Sequence, residues 1–310
     1  MASEPILAAF DLPVAKSTRV WDSKIWLDYF ALTKPEVNFL IVVTTLAGFY
    51  LACPSAWPDF PFLRLINAVL GTLLVASGTG ALNQYIERHF DAQMRRTARR
   101  PLASGRLTPS SVLWFGIALS ALGTVYLATA VNLLASLLAL GTLLSYLFLY
   151  TPLKRKSPLC TLVGAVPGAM PPLIGWAAAS GKLGFAAWTL YSVLFLWQFP
   201  HFMSIAWIYR EDYARAGYLV LPKDERAKAQ LVNWQTWLPL LLLVPVSLLP
   251  ALIGKGSAAY CIGAVLLCAG FLYSGAQFLL RRSNSSARQL LSASIIYLPL
   301  LFLLMILLRR

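Results

Sequence analysis

Asn83, Glu87 and Asp91, in the stretch NQYIERHFD, stand four residues apart at the end of a long apolar run. If that run is helical as far as Asp91, the three side chains share an arc of roughly 80° along about 12 Å of one face. One amide and two carboxylates so placed offer hard oxygen donors of the kind that bind Mg²⁺, an ion usually held by one or two carboxylates together with substrate phosphates. A second acidic pair, Glu211 and Asp212 in IYREDYARAG, lacks the four-residue step. Asp212 is the better ligand candidate there, with Glu211 as its outer neighbour or the partner of Arg210. These four are the only carboxylates between Phe60 and Lys223. Cations gather around them: Arg88, Arg95, Arg96, Arg99, Arg100, Lys154, Arg155 and Lys156 supply what the outer oxygens of a diphosphate need. A metal–diphosphate site is one reading. A solvated helix end, with Glu87 and Asp91 paired to Arg88, Arg95 and Arg96, is the other.

The elements that must position these groups lie in a membrane. Of 310 residues, 58% are hydrophobic and only 12% charged, about half the charge of an ordinary soluble domain. Apolar runs of about 17 to 25 residues, enough to cross a hydrocarbon core of roughly 30 Å, recur along the chain. The pattern predicts an all-α polytopic membrane protein with nine transmembrane helices, near 37–53, 63–84, 110–130, 132–150, 158–178, 186–208, 233–253, 257–279 and 289–308. Residues 1–30 carry Glu4, Asp11, Lys16, Arg19, Asp22 and Lys24 and no apolar core of signal-peptide type, so they are expected to form a retained cytosolic tail. With the N-terminus inside, every basic residue except Arg64, Lys182, Lys255, Arg309 and Arg310 falls on the cytosolic side, as the positive-inside rule requires.

Under that topology both acid pairs end even-numbered helices and share one membrane face, which favours the metal–diphosphate reading. The spacing of the two acid-bearing loops suggests two four-helix halves and a ninth helix. The net charge of +14 invites a nucleic-acid partner, but short membrane-adjacent loops hold the charges, so the lipid bilayer is expected and nucleic acid is not. Cys53, Cys160, Cys261 and Cys268 have no paired short spacing, which excludes a zinc knuckle or a disulfide framework. An ion-coupled transporter is a rival of another class, and it would place its acids at mid-membrane.

From LTKP (Leu32 to Pro35) to LVLP (Leu219 to Pro222) the chain resembles the UbiA-type intramembrane prenyltransferases. The carrying segments are NQYIERHFDAQMRRTARRPL, YTPLKRKSP, GAVPGAMPPLIGW and WQFPHF followed by YREDYARAGYLVLP. PGAMPPLIGW and WQFPHF resemble the haem-modifying branch. The resemblance implies a UbiA-like bundle with a central cavity over residues 31–310. It implies farnesyl diphosphate as donor, haem B as acceptor, Mg²⁺ as cofactor and a bacterial inner membrane as location. Asn83, Glu87, Asp91 and Asp212 would be catalytic and metal-binding. Lys34, Arg96, Arg100, Tyr150, Lys154 and Arg155 would bind diphosphate, and His201 would contact haem.

A haem A synthase or oxidase assembly factor that consumes the product is the kind of protein partner this leaves open, and another aromatic acceptor, a quinone precursor or a chlorophyll-type ring, is the nearest enzymatic alternative. The chain departs from the family where Glu87 replaces the commoner Asp, and where Tyr209 and Tyr213 stand in the places of aspartates. A second fully protein-bound metal is therefore not expected. Lys34 has an interfacial-anchor role as its alternative. Pro167, Pro171 and Pro172, with Gly164, Gly168 and Gly175, are expected to break or bend the fifth span, either for close helix packing or to widen a cavity.

Overall fold

Helix starts follow capping chemistry already visible in the sequence. Thr108, Asn132, Ser257 and Ser283 each accept a backbone N–H three residues on, and Pro35 and Pro109 occupy first-turn positions that need no donor. The structure, a computed structural model, describes residues 23–53, 59–252 and 257–308. Glu4, Asp11, Lys16, Arg19, Asp22, Lys255, Arg309 and Arg310 lie outside the described residues.

The described chain is helical from end to end. Helix α1 (Ser23–Leu32) precedes the first span; α2 (Pro35–Ala52), α3 (Phe62–Asp91) and α4 (Pro109–Ala130) follow. Helix α5 (Leu133–Leu144) runs through a π-helical turn, Ser145–Tyr150, into the single turn α6 (Thr151–Leu153). Helices α7 (Cys160–Gly168) and α8 (Pro171–Ser180) are two halves of the fifth span, interrupted where the proline cluster predicts. Then come α9 (Phe185–Ile208), α10 (Arg210–Arg215), α11 (Glu225–Leu252), α12 (Ala258–Arg281) and α13 (Asn284–Leu307).

Among the described residues, eight segments are long and apolar enough to cross a membrane. Helix α9, 24 residues with no Asp, Glu, Lys or Arg, is a ninth of comparable length. Large apolar side chains such as Trp114, Leu122, Phe148 and Leu266 face outward, as they do when lipid is the solvent.

Two large apolar cores organise the bundle. One joins residues of α2, α3, α4, α5 and α8 around Phe49 and Leu127; the other joins α9, α11, α12 and α13, with Ala47 of α2, around Phe271, Tyr297 and Phe302. The fifth span therefore packs largely with the first half through α8, a five-and-four grouping rather than the four-four-one that hydropathy suggested. Where α8 crosses α2 the backbones touch. A Cβ at Gly175 would overlap the Thr45 carbonyl oxygen, and one at Gly48 that of Pro172. Close packing, rather than a widened gap, is what these glycines serve.

Candidate active site

Helix α3 continues to Asp91, so Asn83, Glu87 and Asp91 do share one face, and all three are buried at 1%, 5% and 1% exposure. His89, between them in sequence, is exposed and off that face. Burial of two carboxylates is costly unless each is paired, and each is. Glu87 Oε1 receives Lys154 Nζ at 2.8 Å, and Glu87 Oε2 accepts from Asn83 Nδ2 at 3.0 Å. Asp91 Oδ2 receives the Arg100 guanidinium at 2.6 Å. Lys34 Nζ donates to Asn83 Oδ1 at 2.8 Å, and Asn83 Nδ2 also reaches Thr151 Oγ1 at 3.2 Å.

This pattern overturns the solvated helix-end reading. The acids are paired with Arg100 and Lys154, from two other segments, while Arg88 donates to the Tyr85 carbonyl instead. The acids also sit at the end of a 30-residue helix, not at mid-span as the transporter reading needs.

Charge in the lattice is unbalanced. Lys34, Arg100 and Lys154 outnumber Glu87 and Asp91. Burial, then repulsion from Arg100 and Lys154, lowers the Lys34 ammonium to a pKa of about 7 despite both carboxylates. Burial acts against the charge of Lys154 as well, yet the adjoining Glu87 holds it well above its ordinary value. Lys34 is thus the cation with no carboxylate of its own. It is also one of two described non-glycine residues with left-handed φ (54°), a conformation that side chains other than glycine adopt at a cost.

Tyr150 comes from the π-helical turn, and its ring lies 4.6 Å from Lys154 Nζ. Such turns recur at functional sites because they rotate the residues that follow. Here Thr151 Oγ1 donates to the Tyr146 carbonyl at 2.9 Å, which aims it at Asn83. Arg155 stacks over Phe90 at 4.2 Å, at the edge of the lattice.

The second acidic pair resolves itself by burial. Asp212 is buried and Glu211 exposed. Asp212 Oδ2 accepts from the Arg96 backbone at 3.3 Å, and Oδ1 from Arg215 at 3.1 Å, so it meets the loop that follows α3. Where the family carries aspartates, Tyr209 lies under the Arg96 guanidinium at 5.0 Å, and Tyr213 packs against Tyr218. Among the described residues, no three His, Cys, Asp or Glu side chains converge into one metal-ligating group.

Sequence spacing missed Tyr218 and Thr151. Tyr218 is delivered by the segment after α10, where Leu219 N–H donates to the Lys154 carbonyl at 2.7 Å. Its buried hydroxyl lies beside Glu87 without a well-formed hydrogen bond; burial, then the Glu87 charge, raise its pKa. Only a pairing between loops remote in sequence puts it there. His201 belongs to another cluster, between α9 and α13. Its Nδ1 is 2.8 Å from Ser294 Oγ and its ring stacks on Trp197 at 4.6 Å.

A helical membrane bundle with an acid–cation lattice at the ends of its helices is an architecture suited to an intramembrane transferase, and the comparisons give that class. A match to the UbiA prenyltransferase family spans residues 41–306; the chain belongs to that family. Within it, the chain is 50% identical over 290 residues to "Protoheme IX farnesyltransferase" of Solibacter usitatus (strain Ellin6076), covering 90% of this chain and 98% of that one. Its fold is similar to that of a digeranylgeranylglyceryl phosphate synthase in membranes (TM-score 0.74, 18% identity, 92% of this chain and 98% of that one). It is also similar to a UbiA homologue from Archaeoglobus fulgidus bound to GPP and Mg²⁺ (TM-score 0.58, 14% identity, 90% and 99%).

Proposed function

We propose that the protein transfers the farnesyl group of farnesyl diphosphate to a vinyl group of haem B, with addition of water, giving haem O and diphosphate. The observation that carries the donor half is the surplus of the partly buried Lys34, Arg100 and Lys154 over the carboxylates Glu87 and Asp91, a site short of an anion. The acceptor rests on 50% identity, over 90% of this chain, to a relative that bears the protoheme IX farnesyltransferase name.

The donor set fits Mg²⁺. Asp91 Oδ1 is buried and has no hydrogen-bond partner, and hard oxygens from one or two carboxylates suit an ion that shares its shell with substrate phosphates. The unpartnered Asp91 Oδ1 would hold it directly beside substrate phosphates, with Glu87, Asn83 and, from the other half, Asp212 around it, and when bound it supplies charge neutralisation for the leaving diphosphate. Lys34, Arg100 and Lys154 bind the outer oxygens, with Arg96, Arg155 and Tyr150 around them. Preorganised cations aimed at a leaving group lower the barrier because they need not reorient during bond breaking.

The farnesyl C1–O bond breaks, leaving its electron pair on diphosphate. The terminal carbon of the vinyl group then bonds to C1, and water adds to the cation left beside the porphyrin ring, releasing a proton. His201 is the haem contact we assign: Ser294 Oγ, 2.8 Å from Nδ1, orients the ring and keeps Nε2 as the nitrogen to meet haem. The site face is cytoplasmic, and the membrane a bacterial inner membrane.

Membranes containing the protein, supplied with haem B, labelled farnesyl diphosphate and Mg²⁺, should place label in a haem product. Label in a quinone precursor and none in haem would overturn the acceptor.

A further inference from the structure

Helix α1 is buried on one side only. Ile25, Tyr29 and Leu32 pack on Tyr85, Leu107 and Phe115, with the Tyr29 and Phe115 rings 4.9 Å apart. On its other side Trp26, Leu27 and Phe30 stand 65%, 67% and 59% exposed. Positions 26, 27 and 30 make one stripe of a helix. The orientation is fixed, because Arg106 grips both carboxylate oxygens of Asp28 through Nε, at 3.0 Å each.

Ten residues cannot cross a membrane. Yet α1 ends two residues before α2 enters as a span. Exposed apolar side chains also stand on the far side of that corner, where Val37 and Phe39 of α2 are 56% and 71% exposed. Trp and Phe with one apolar neighbour, on a helix too short to span, fit the headgroup–acyl boundary.

The turn that follows α1 is tied down at each residue. Gln84 Nε2 donates to the Leu32 carbonyl at 3.0 Å, Asn38 Nδ2 to the Thr33 carbonyl at 2.7 Å, and Lys34 then takes its left-handed conformation and reaches Asn83.

We infer that α1 is an in-plane helix seated in the lipid of the site-bearing leaflet through Trp26, Leu27 and Phe30, and that this seat fixes the corner that delivers Lys34 to the site. The lipid seat stands on geometry alone; the consequence for Lys34 rests on the diphosphate reading above. Lipid is the single occupant the stripe fits, because within two residues the chain enters a spanning helix whose first turns are exposed and apolar as well.

Nitroxides at Trp26→Cys, Leu27→Cys and Phe30→Cys, in nanodiscs and in a Cys261→Ser background, test the seat by power saturation. Each should be relaxed more by oxygen than by a water-soluble nickel chelate, with the reverse at Lys223→Cys. Nickel-dominated relaxation at all three would put the stripe in water, and shielding from both reagents would put a protein on it; either result overturns the seat. This arm uses no substrate, so it fails independently of the farnesyl-transfer assignment.

For the corner, Leu27→Glu with Phe30→Glu should raise the KM for farnesyl diphosphate about 10-fold, the size of one charge-assisted contact, with kcat within about twofold. Leu27→Met with Phe30→Trp should behave as the parent. An unchanged KM in the double-Glu protein, with its thermal midpoint retained, would overturn the link to Lys34. A matched loss of kcat and thermal midpoint would also overturn it, by showing a structural role alone.

Discussion

Lys154 joins two roles in one side chain: it neutralises Glu87, and it is raised far enough in pKa to stay charged when an anion arrives. Removing it should weaken donor binding more than it slows chemistry. A charge-assisted hydrogen bond contributes about 1.5–3 kcal/mol, so Lys154→Ala should raise the KM for farnesyl diphosphate by at least about 10-fold; an unchanged KM would count against the assignment. Glu87→Ala and Asp91→Ala should each lose turnover by about 10²-fold or more, read as haem O formed per enzyme, while still entering the membrane. Full activity in both variants would remove the metal assignment. These two acids were legible because carboxylates are scarce in this chain and stand one helical turn apart. Tyr218 and Thr151 were not, because neither has a spacing signature. Tyr218 needs the segment after α10 to dock on the Lys154 carbonyl, and Thr151 needs the π-helical turn before it.

At the scale of elements, the crossing of α2 and α8 sets the frame that holds α3 and its acids. Gly175 and Gly48 let two backbones meet with no side chain between them. Gly175→Ala should therefore destabilise the protein by about 1–3 kcal/mol, seen as a lower thermal midpoint in detergent, with residual activity following the folded fraction. An unaltered midpoint would show that the helices can separate at little cost. Span positions were readable from hydropathy, and the break between α7 and α8 from Pro167, Pro171 and Pro172. The partner of each span was not. Lipid-facing and core-facing surfaces are both apolar here, so the periodicity that tells inside from outside in a soluble helix is weak. Helix α1 escaped for a different reason: it is too short for a span and lies in what composition marks only as a polar tail.

For the whole molecule, charge placement makes a topological statement that can be measured directly. Lys156→Cys and Lys223→Cys should react with a membrane-impermeant thiol reagent from the cytoplasmic side, and Lys182→Cys from the opposite one; all three positions are exposed. Labelling of Lys156→Cys from the opposite side would invert the arrangement. The native Cys53, Cys160 and Cys268 are buried, which keeps the background low. The bundle is also built on two large apolar cores, which meet where α2, α7 and α8 pack against α9 and α13 and where the loop after α3 contacts Asp212. Between those cores, from α8 to α9, runs only the short turn 181–184, with Gly181 in left-handed φ of 66°. Ala47 of α2 sits in the core of α9 and α11–α13, and Gln198 of α9 donates to the Ala165 carbonyl of α7, so the halves hold each other without that one peptide link. Two separately translated polypeptides, divided within 181–184 and inserted into the same bilayer, should find each other and recover farnesyl transfer, which makes continuity of the chain a matter of genetic economy rather than of chemistry.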